Sequence, residues 1–166
     1  MRGARHKGNG MNPRDRLKVL GLGLAGLGVA HAQGAEPGLG PVKSPQLSSE
    51  PWKIVMQISD SLEQAYEGLI NIQNVLQIDP KLKFTVVGYS RAIRFLLNGT
   101  KTPSGALFAG MIGDLANQGV VFKACQNTLT YMKIPSSEVV LEATLVPAGV
   151  YEVVRLQAQG WFYIKP

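Results

Sequence analysis

The chain has 166 residues, of which 45% are hydrophobic, and this is enough for one domain with a core and additional extensions. Its formal net charge of +6 at pH 7 is concentrated at one end, because six of the 17 basic residues and a single acid precede Gln33. The rest of the chain is close to neutral and has no cluster of Lys or Arg interleaved with aromatic residues. We therefore do not expect it to bind nucleic acid.

Residues 1–32 are predicted to be a secretory signal peptide. A positively charged n-region contains Arg14, Arg16 and Lys18. An apolar core spans residues 19–30, and Ala30-His31-Ala32 matches the small-x-small cleavage pattern, which predicts a mature start at Gln33. We therefore expect a periplasmic or secreted protein with no membrane attachment after cleavage.

Two alternatives concern this segment. Met11 is a second candidate start, because residues 1–10 precede a signal that is already complete. The apolar core could instead be a membrane anchor, but it is short and rich in glycine, whereas a bilayer span needs about 20 apolar residues. We therefore favour the cleaved signal.

Residues 33–51 are predicted to be a flexible linker, because they are dominated by Gly, Pro and Ser and cannot bury enough apolar surface to offset their ordering entropy. The folded domain is predicted to span residues 52–166. The chain has a single cysteine, Cys125, so no internal disulfide is expected despite the oxidising destination.

Short apolar runs and helical periodicities alternate along the predicted domain. The predicted strands are residues 52–58, 82–87, a run from Val120, 144–147 and 161–164. The predicted helices are residues 61–77, 92–97, 105–118, a turn ending at Met132, a piece from Ser136 or Ser137 to Leu141, and residues 150–159. This alternation predicts an α/β fold, a three-layer sandwich in which a mostly parallel five-stranded sheet has helices on both faces.

Cys125 lies where a predicted strand meets a predicted helix. Asn127 and Thr128 follow it and are residue types that favour a helix N-cap, and we also expect them to be binding residues beside Cys125. A thiol in such a position is near unpaired N–H groups and the positive end of a helix dipole, which favour the reactive thiolate. The alternative is a small buried hydrophobe, which is how most free cysteines behave.

Further candidate residues follow other predicted strands and are expected near Cys125, because open α/β sheets place their sites at the strand ends. Arg91 would stabilise a thiolate or an anionic sulfur species, and Tyr89 would donate a hydrogen bond. Alternatively, Arg91 is a solvated charge at a helix terminus and Tyr89 is a packing residue. Asp60, at capping-box spacing from Glu63, is predicted to be a helix cap rather than a catalyst.

Several classes of chemistry are not expected. The only histidines, His6 and His31, precede the predicted cleavage point, so the mature chain would have no imidazole base or imidazole metal ligand. The acids are dispersed, and the glycines form neither a dinucleotide fingerprint nor a phosphate loop. We therefore predict no metal and no cofactor.

Three stretches carry a resemblance to a known family. They are the Cys-x-Asn-Thr pattern at residues 125–128, Val146-Pro147-Ala148-Gly149-Val150, and the closing Gly160-Trp161-x-Tyr163-Ile164-Lys165-Pro166. Together they resemble the DsrE/DsrF-like (YchN-like) proteins over roughly residues 52–166. The resemblance implies a small flavodoxin-like three-layer fold that forms homotrimers or hexamers. It also implies, for sulfur-relay members, a cysteine at the position of Cys125 that carries persulfide sulfur between proteins.

Two features depart from the family. The best-known relay members are cytoplasmic and work in heteromeric complexes, whereas this chain is predicted to be exported. Relatives often have a His-Gly pair after the second strand, where this chain has Gly88-Tyr89. Two hypotheses therefore stay open: a persulfide sulfur carrier or sulfurtransferase that uses Cys125 with donor and acceptor proteins, or a non-enzymatic oligomeric binding or scaffold protein with a structural cysteine.

A homo-oligomer, a trimer or hexamer, is expected for a physical reason as well as from the resemblance. Small domains bury a limited fraction of their surface. The helix around Phe108, Met111 and Ile112 and the aromatic residues 161–163 offer more apolar surface than one thin sandwich readily covers. We expect these two segments to contribute to an interface between subunits.

Overall fold

The structure is a computed structural model and describes residues 50–166. The predicted signal peptide, the candidate start at Met11 and all but the last two residues of the predicted linker lie outside the described residues. Within residues 50–166, no helix is long and apolar enough to cross a bilayer.

Strands and helices alternate through the described domain. The strands are β1 (Lys53–Ile58), β2 (Lys83–Gly88), β3 (Val121–Cys125), β4 (Ala143–Val146) and β5 (Phe162–Ile164). The α-helices are α1 (Leu62–Ile78), α2 (Phe108–Asn117), α3 (Gln126–Met132) and α4 (Gly149–Ala158). Two 3-10 helices, Ser90–Leu96 and Ser136–Glu138, follow β2 and α3.

The five strands form one sheet in the order β4-β3-β2-β1-β5, and every pairing in it is parallel. The carboxyl ends of all five strands therefore lie at the same edge of the sheet. Gly88 of β2 pairs with both Ile58 of β1 and Ala124 of β3, and Cys125 pairs with Val146 of β4. The predicted five-stranded α/β fold is confirmed, and its mostly parallel sheet is parallel throughout.

The direction of the crossovers explains the three layers. From β1 to β4 the chain advances across the sheet in one direction, and it then returns to place β5 beside β1. Because parallel crossovers are right-handed, this reversal places α4 on the opposite face from the earlier helices. The burial pattern agrees, since Val55 and Val87 pack against Val153 and Leu156 of α4, while their strand neighbours enter the larger core beneath α1 and α2.

The start of α1 differs from the prediction. Its N-cap is Ser61, whose Oγ accepts a hydrogen bond from the backbone N–H of Gln64 at 3.1 Å. The Gln64 side chain in turn accepts bonds from the backbone N–H groups of Ser59 and Asp60, both at 2.9 Å. The predicted cap at Asp60 is therefore wrong, because the helix is capped one residue further along, by Ser61.

Two other predicted helices are shorter than expected. Residues 105–107 are outside α2, because Lys101 pairs with Leu107 in an antiparallel bridge closed by a turn in which Gly105 has a φ of +90°. The piece predicted to reach Leu141 ends at Glu138. Val139 and Val140 are buried, and they are held extended by hydrogen bonds with the segment after the first 3-10 helix rather than in a helical turn.

The apolar face of α2 belongs to the core rather than to the surface. Phe108 and Ile112 are fully buried, and the Phe108 ring lies edge-on to that of Phe95 at a centroid distance of 6.0 Å. The expectation that this helix supplies an exposed apolar surface is therefore wrong. Exposed apolar side chains occur instead on α4 and β5: Val150, Tyr151, Val154, Phe162, Tyr163 and Ile164.

Candidate functional site

Cys125 is the last residue of β3 and the N-cap residue of α3, and it is 5% exposed. The predicted capping role of Asn127 and Thr128 is wrong, because α3 begins directly after Cys125, at Gln126. Their polar groups bond to neighbouring loops instead. The backbone N–H of Asn127 donates to the carbonyl of Pro147 at 3.2 Å, and Thr128 Oγ1 accepts from the backbone N–H of Ser90 at 3.2 Å.

The position of Cys125 within the sheet is a topological switch point. β3 and β4 are neighbours, but β3 continues into α3 on one face while β4 continues into α4 on the other. In open α/β sheets ligands bind in the crevice that such a divergence creates outside the strand ends. Cys125 and Val146 are paired at this crevice, and the Asn127–Pro147 hydrogen bond crosses it.

A cleft of about 310 Å³ lies beside this crevice, and we call it the α3 cleft. It is lined by Tyr89, Ser90, Arg91, Asn127, Thr128, Tyr131 and Met132. The structure therefore brings together the four residues that were predicted to assist Cys125. Cys125 is not itself among the lining residues, although it precedes Asn127 and Thr128 by only two and three positions.

Tyr89 connects the α3 cleft to both cores. Its backbone N–H donates to the carbonyl of Ile58 at 3.1 Å, and its ring contacts the hydrophobic clusters on the two faces of the sheet. Burial raises the pKa of Tyr89 above its ordinary value, and a side-chain hydrogen bond with Ser59 opposes that shift. Tyr89 is thus both a packing residue and a wall of the cleft.

Arg91 is an exposed cation in the first turn of the 3-10 helix after β2. None of the salt bridges within residues 50–166 involves it. The charge of Arg91 acts on Asp60, which already pairs with Lys165 at 2.9 Å. The hydrogen bond from Lys165 lowers the pKa of Asp60 most, a bond from Ser59 adds to it, and the charge of Arg91 contributes least.

Sequence reasoning missed two lining residues, Tyr131 and Met132, and the backbone conformation of Ser90. Ser90 has a φ of +52°, in the left-handed region that residues other than glycine rarely adopt, and such strain occurs often at functional sites. Tyr131 and Met132 lie on the same helix as Asn127 and Thr128, so the helical spacing of α3 was the available signal for them. No signal in the sequence indicated the backbone angle of Ser90.

A polar network occupies the neighbouring end of the sheet. Tyr163 Oη donates to Gln57 Oε1 at 2.7 Å, Gln57 Nε2 donates to Ser59 Oγ at 3.2 Å, and Ser59 Oγ donates to Asp60 Oδ1 at 3.1 Å. Gln64 Nε2 donates to the carbonyl of Pro166 at 3.0 Å. These bonds hold the closing Tyr-Ile-Lys-Pro segment against β1 and α1. Among residues 50–166, no three His, Cys, Asp or Glu side chains are grouped so that they could hold a metal ion.

The alignment of the domain with a family model decides its relationship to known proteins. A model of the DsrE/DsrF-like family matches residues 53–166, from the first residue of β1 to Pro166. The chain belongs to the DsrE/DsrF-like family. The resemblance inferred from the cysteine motif and the closing Gly-Trp segment is therefore confirmed. Comparison with the curated proteins found no match.

Solved structures of this DsrE/DsrF-like domain's relatives share its fold. A protein of unknown function from Methanobacterium thermoautotrophicum, MTH1491, is 28% identical with a TM-score of 0.62, over 69% of this chain and 99% of that chain. The YchN protein from E. coli is 16% identical with a TM-score of 0.57, over 70% and 99%. BT1422 from Bacteroides thetaiotaomicron, of unknown function, is 13% identical with a TM-score of 0.55, over 69% and 94%. The last two similarities concern the fold alone.

Proposed function

We propose that this DsrE/DsrF-like protein is a persulfide sulfur carrier, or sulfurtransferase, that holds sulfur on Cys125. The observation that supports the proposal most is the position of the only thiol, at the switch point between β3 and β4 and next to the α3 cleft. Family membership supports it too, because the family includes sulfur-relay proteins. Since the signal peptide predicts export, the donor and acceptor proteins would also be periplasmic or secreted.

The proposed loading step balances without a further reactant. The thiolate of Cys125 attacks the outer sulfur of a donor persulfide, a new S–S bond forms to Cys125, and the donor's S–S bond breaks to release its thiolate. Transfer to an acceptor thiolate repeats this exchange in the opposite direction. No net oxidation occurs, because the sulfane sulfur moves at constant oxidation state.

The environment of Cys125 restricts how a donor reaches it. Because the residue is only 5% exposed, a donor has little access to it, and the proposed approach is where the first turn of α3 meets the loop after β4. Arg91 is the cation that lines the neighbouring α3 cleft and would favour an anionic persulfide there. Asn127 and Thr128 would supply polar contacts, and Tyr89 would close the side that faces α4.

A direct test uses the fact that the chain has only one cysteine. The purified protein is incubated with a persulfide donor, and its intact mass is compared with that of Cys125→Ser treated in the same way. The proposal predicts a gain of one sulfur atom in the wild-type protein alone. An absent adduct, or one of equal yield on the serine variant, contradicts it.

One observation favours a second candidate function. Cys125 packs within the larger hydrophobic cluster and is nearly inaccessible, which is the environment of a structural cysteine. In that case the protein would be a non-enzymatic oligomeric binding or scaffold protein. Titration with a small thiol reagent separates the two functions, because a carrier reacts in the native state whereas a structural cysteine reacts only after denaturation.

A further inference from the structure

We infer that the α3 cleft is a binding site for a small organic anion, with one carboxylate or similarly charged group on an apolar or planar body. This inference does not depend on sulfur chemistry at Cys125, because Cys125 is not among the residues that line the cleft. Its volume of about 310 Å³ is at the lower end of the range for small-molecule sites, which favours a small ligand.

Charge in the cleft favours an anion. Among its seven lining residues Arg91 is the only charged one, so a positive group faces a cleft without a carboxylate. The guanidinium has no salt bridge within residues 50–166 that a ligand would have to break. Asp60 lies near enough to be influenced by Arg91, but Lys165 already pairs with it, so its repulsion of an anion is reduced. A planar guanidinium can bind a carboxylate with two parallel hydrogen bonds.

The remaining walls favour an organic body rather than a bare inorganic ion. Tyr131 is 89% exposed, and Met132 beside it is half-buried, so the last turn of α3 presents an aromatic ring and a thioether to the cleft. Tyr89 provides a second ring on another element. Such surfaces gain from covering apolar ligand atoms, while Asn127 offers an amide for a polar substituent.

The two rims of the cleft are the segment 89–91 and helix α3, and contacts within the protein hold them together before any ligand binds. The backbone N–H of Ser90, the first residue of the 3-10 helix after β2, donates to Thr128 Oγ1 on α3. Ser90 adopts its left-handed backbone conformation at this point, and Gly149 packs against Tyr89 behind it. Because the surrounding contacts hold both rims in place, a ligand would not have to order the site, and this reduces the cost of binding.

Paired titrations of the full chain test this inference, with benzoate as the anionic probe and benzamide as its neutral counterpart of similar shape. Wild-type protein and Cys125→Ser should bind benzoate equally, and both should bind benzamide at least about tenfold more weakly. Arg91→Gln should lose at least about tenfold in benzoate affinity. Arg94→Gln is the matched control, because Arg94 is an exposed arginine of the same 3-10 helix that does not line the cleft, and it should bind as the wild type does.

Thermal unfolding of each variant establishes that the fold is retained, which is expected because both arginines are exposed. Added NaCl should weaken benzoate binding, since the contact with Arg91 is partly screened by salt. The inference is overturned if wild-type protein shows no saturable benzoate binding up to about 10 mM, or if benzamide or Arg91→Gln gives the same affinity. A failure of sulfur loading at Cys125 would leave these results unchanged, so the two proposals fail separately.

Discussion

Gly149 lies against the ring of Tyr89 so closely that a β-carbon on Gly149 would be 2.8 Å from Tyr89 Cδ1 and 3.0 Å from its Cβ. Tyr89 follows β2 and Gly149 begins α4, so this contact joins the two chain segments on either side of the switch point. It leaves no room for any side chain at residue 149. The Pro147-Ala148-Gly149 segment of the family motif therefore has a steric role in placing one wall of the α3 cleft.

Gly149→Ala is expected to lower the free energy of unfolding by about 1–3 kcal/mol, because the tyrosine ring must move to admit the methyl group. Urea unfolding measures the change. Gly110→Ala is the control, since no heavy atom lies within 4 Å of its added β-carbon and the substitution in α2 should stabilise by roughly 0.5–1 kcal/mol. In a Tyr89→Ala background the cost of Gly149→Ala should decrease, because the clash with the ring is removed while the contact with Cβ at 3.0 Å remains, and an undiminished cost would show that the ring is not the cause.

The strands and the position of Cys125 could be predicted from the sequence, but the burial of side chains and the start of α1 could not, for physical reasons. The strands are runs of β-branched residues bounded by turn residues, and such runs indicated Cys125 at a strand end. Its burial depends on how α3 and the first 3-10 helix pack, which is not a local property. The burial of Phe108 was not predicted for the same reason. The sequence indicated the apolar face of its helix, but the ring that packs against it, Phe95, comes from another element. The cap at Ser61 was not predicted, because Asp60 and Glu63 have capping-box spacing and offered a competing start for α1.

An ion cluster around the buried Glu152 of α4 should make stability depend on pH. The Glu152 side chain is 7% exposed and accepts hydrogen bonds from Arg155, at 2.7 and 2.8 Å, and from Lys123. The bonds from Arg155 contribute most to lowering the pKa of Glu152 from 4.5 to about 2. The burial of Glu152 raises its pKa and so opposes this shift, while Lys123 lowers the pKa further. Because the folded-state pKa is depressed, the stabilisation is present above pH 4.5 and is lost as the pH falls through 2.

Glu152→Gln is therefore expected to cost about 3 kcal/mol of unfolding free energy at pH 7, with the difference from wild type shrinking as the pH falls below 4.5. Urea titrations at several pH values provide the comparison. Glu67→Gln, at an exposed position of α1, should change stability by no more than about 0.5 kcal/mol. A pH-independent cost for Glu152→Gln would show that packing rather than charge explains its effect.

The hydrogen bond from Ser90 to Thr128 Oγ1 makes a separate prediction about the cleft. Thr128→Val keeps the shape of the side chain but removes the acceptor, so it should cost about 1 kcal/mol in stability and weaken benzoate binding. Thr128→Ser retains the hydroxyl and should preserve the binding. Calorimetric titration of both variants distinguishes the hydrogen bond from the packing of the methyl group, since loss in the serine variant alone would implicate the methyl group.

We also propose that the protein is a homo-oligomer, a trimer or hexamer, and that the outer surface of α4 takes part in its interface. Val150, Tyr151 and Val154 are 58%, 66% and 56% exposed, and contiguous apolar surface of this kind usually marks an interface. Val154→Asp is expected to shift the assembly towards monomer, as measured by size-exclusion chromatography with light scattering. Ile78→Asp, at a single exposed apolar residue on the last turn of α1, is the control. A monomeric wild-type protein at micromolar concentration would contradict the proposal.

The most direct test of sulfur carriage at Cys125 is cyanolysis of the loaded protein. Cyanide removes the outer sulfur of a persulfide as thiocyanate and returns the cysteine as a thiolate, whereas it obtains no thiocyanate from a cysteine oxidised to a sulfinic acid. This distinction matters, because two oxygen atoms have nearly the mass of one sulfur. The protein is exposed to a persulfide donor, desalted and treated with cyanide, and thiocyanate is quantified for each chain. We predict close to one thiocyanate per wild-type chain and none from Cys125→Ser, whereas no thiocyanate from the wild type, or an equal amount from both, would contradict the assignment.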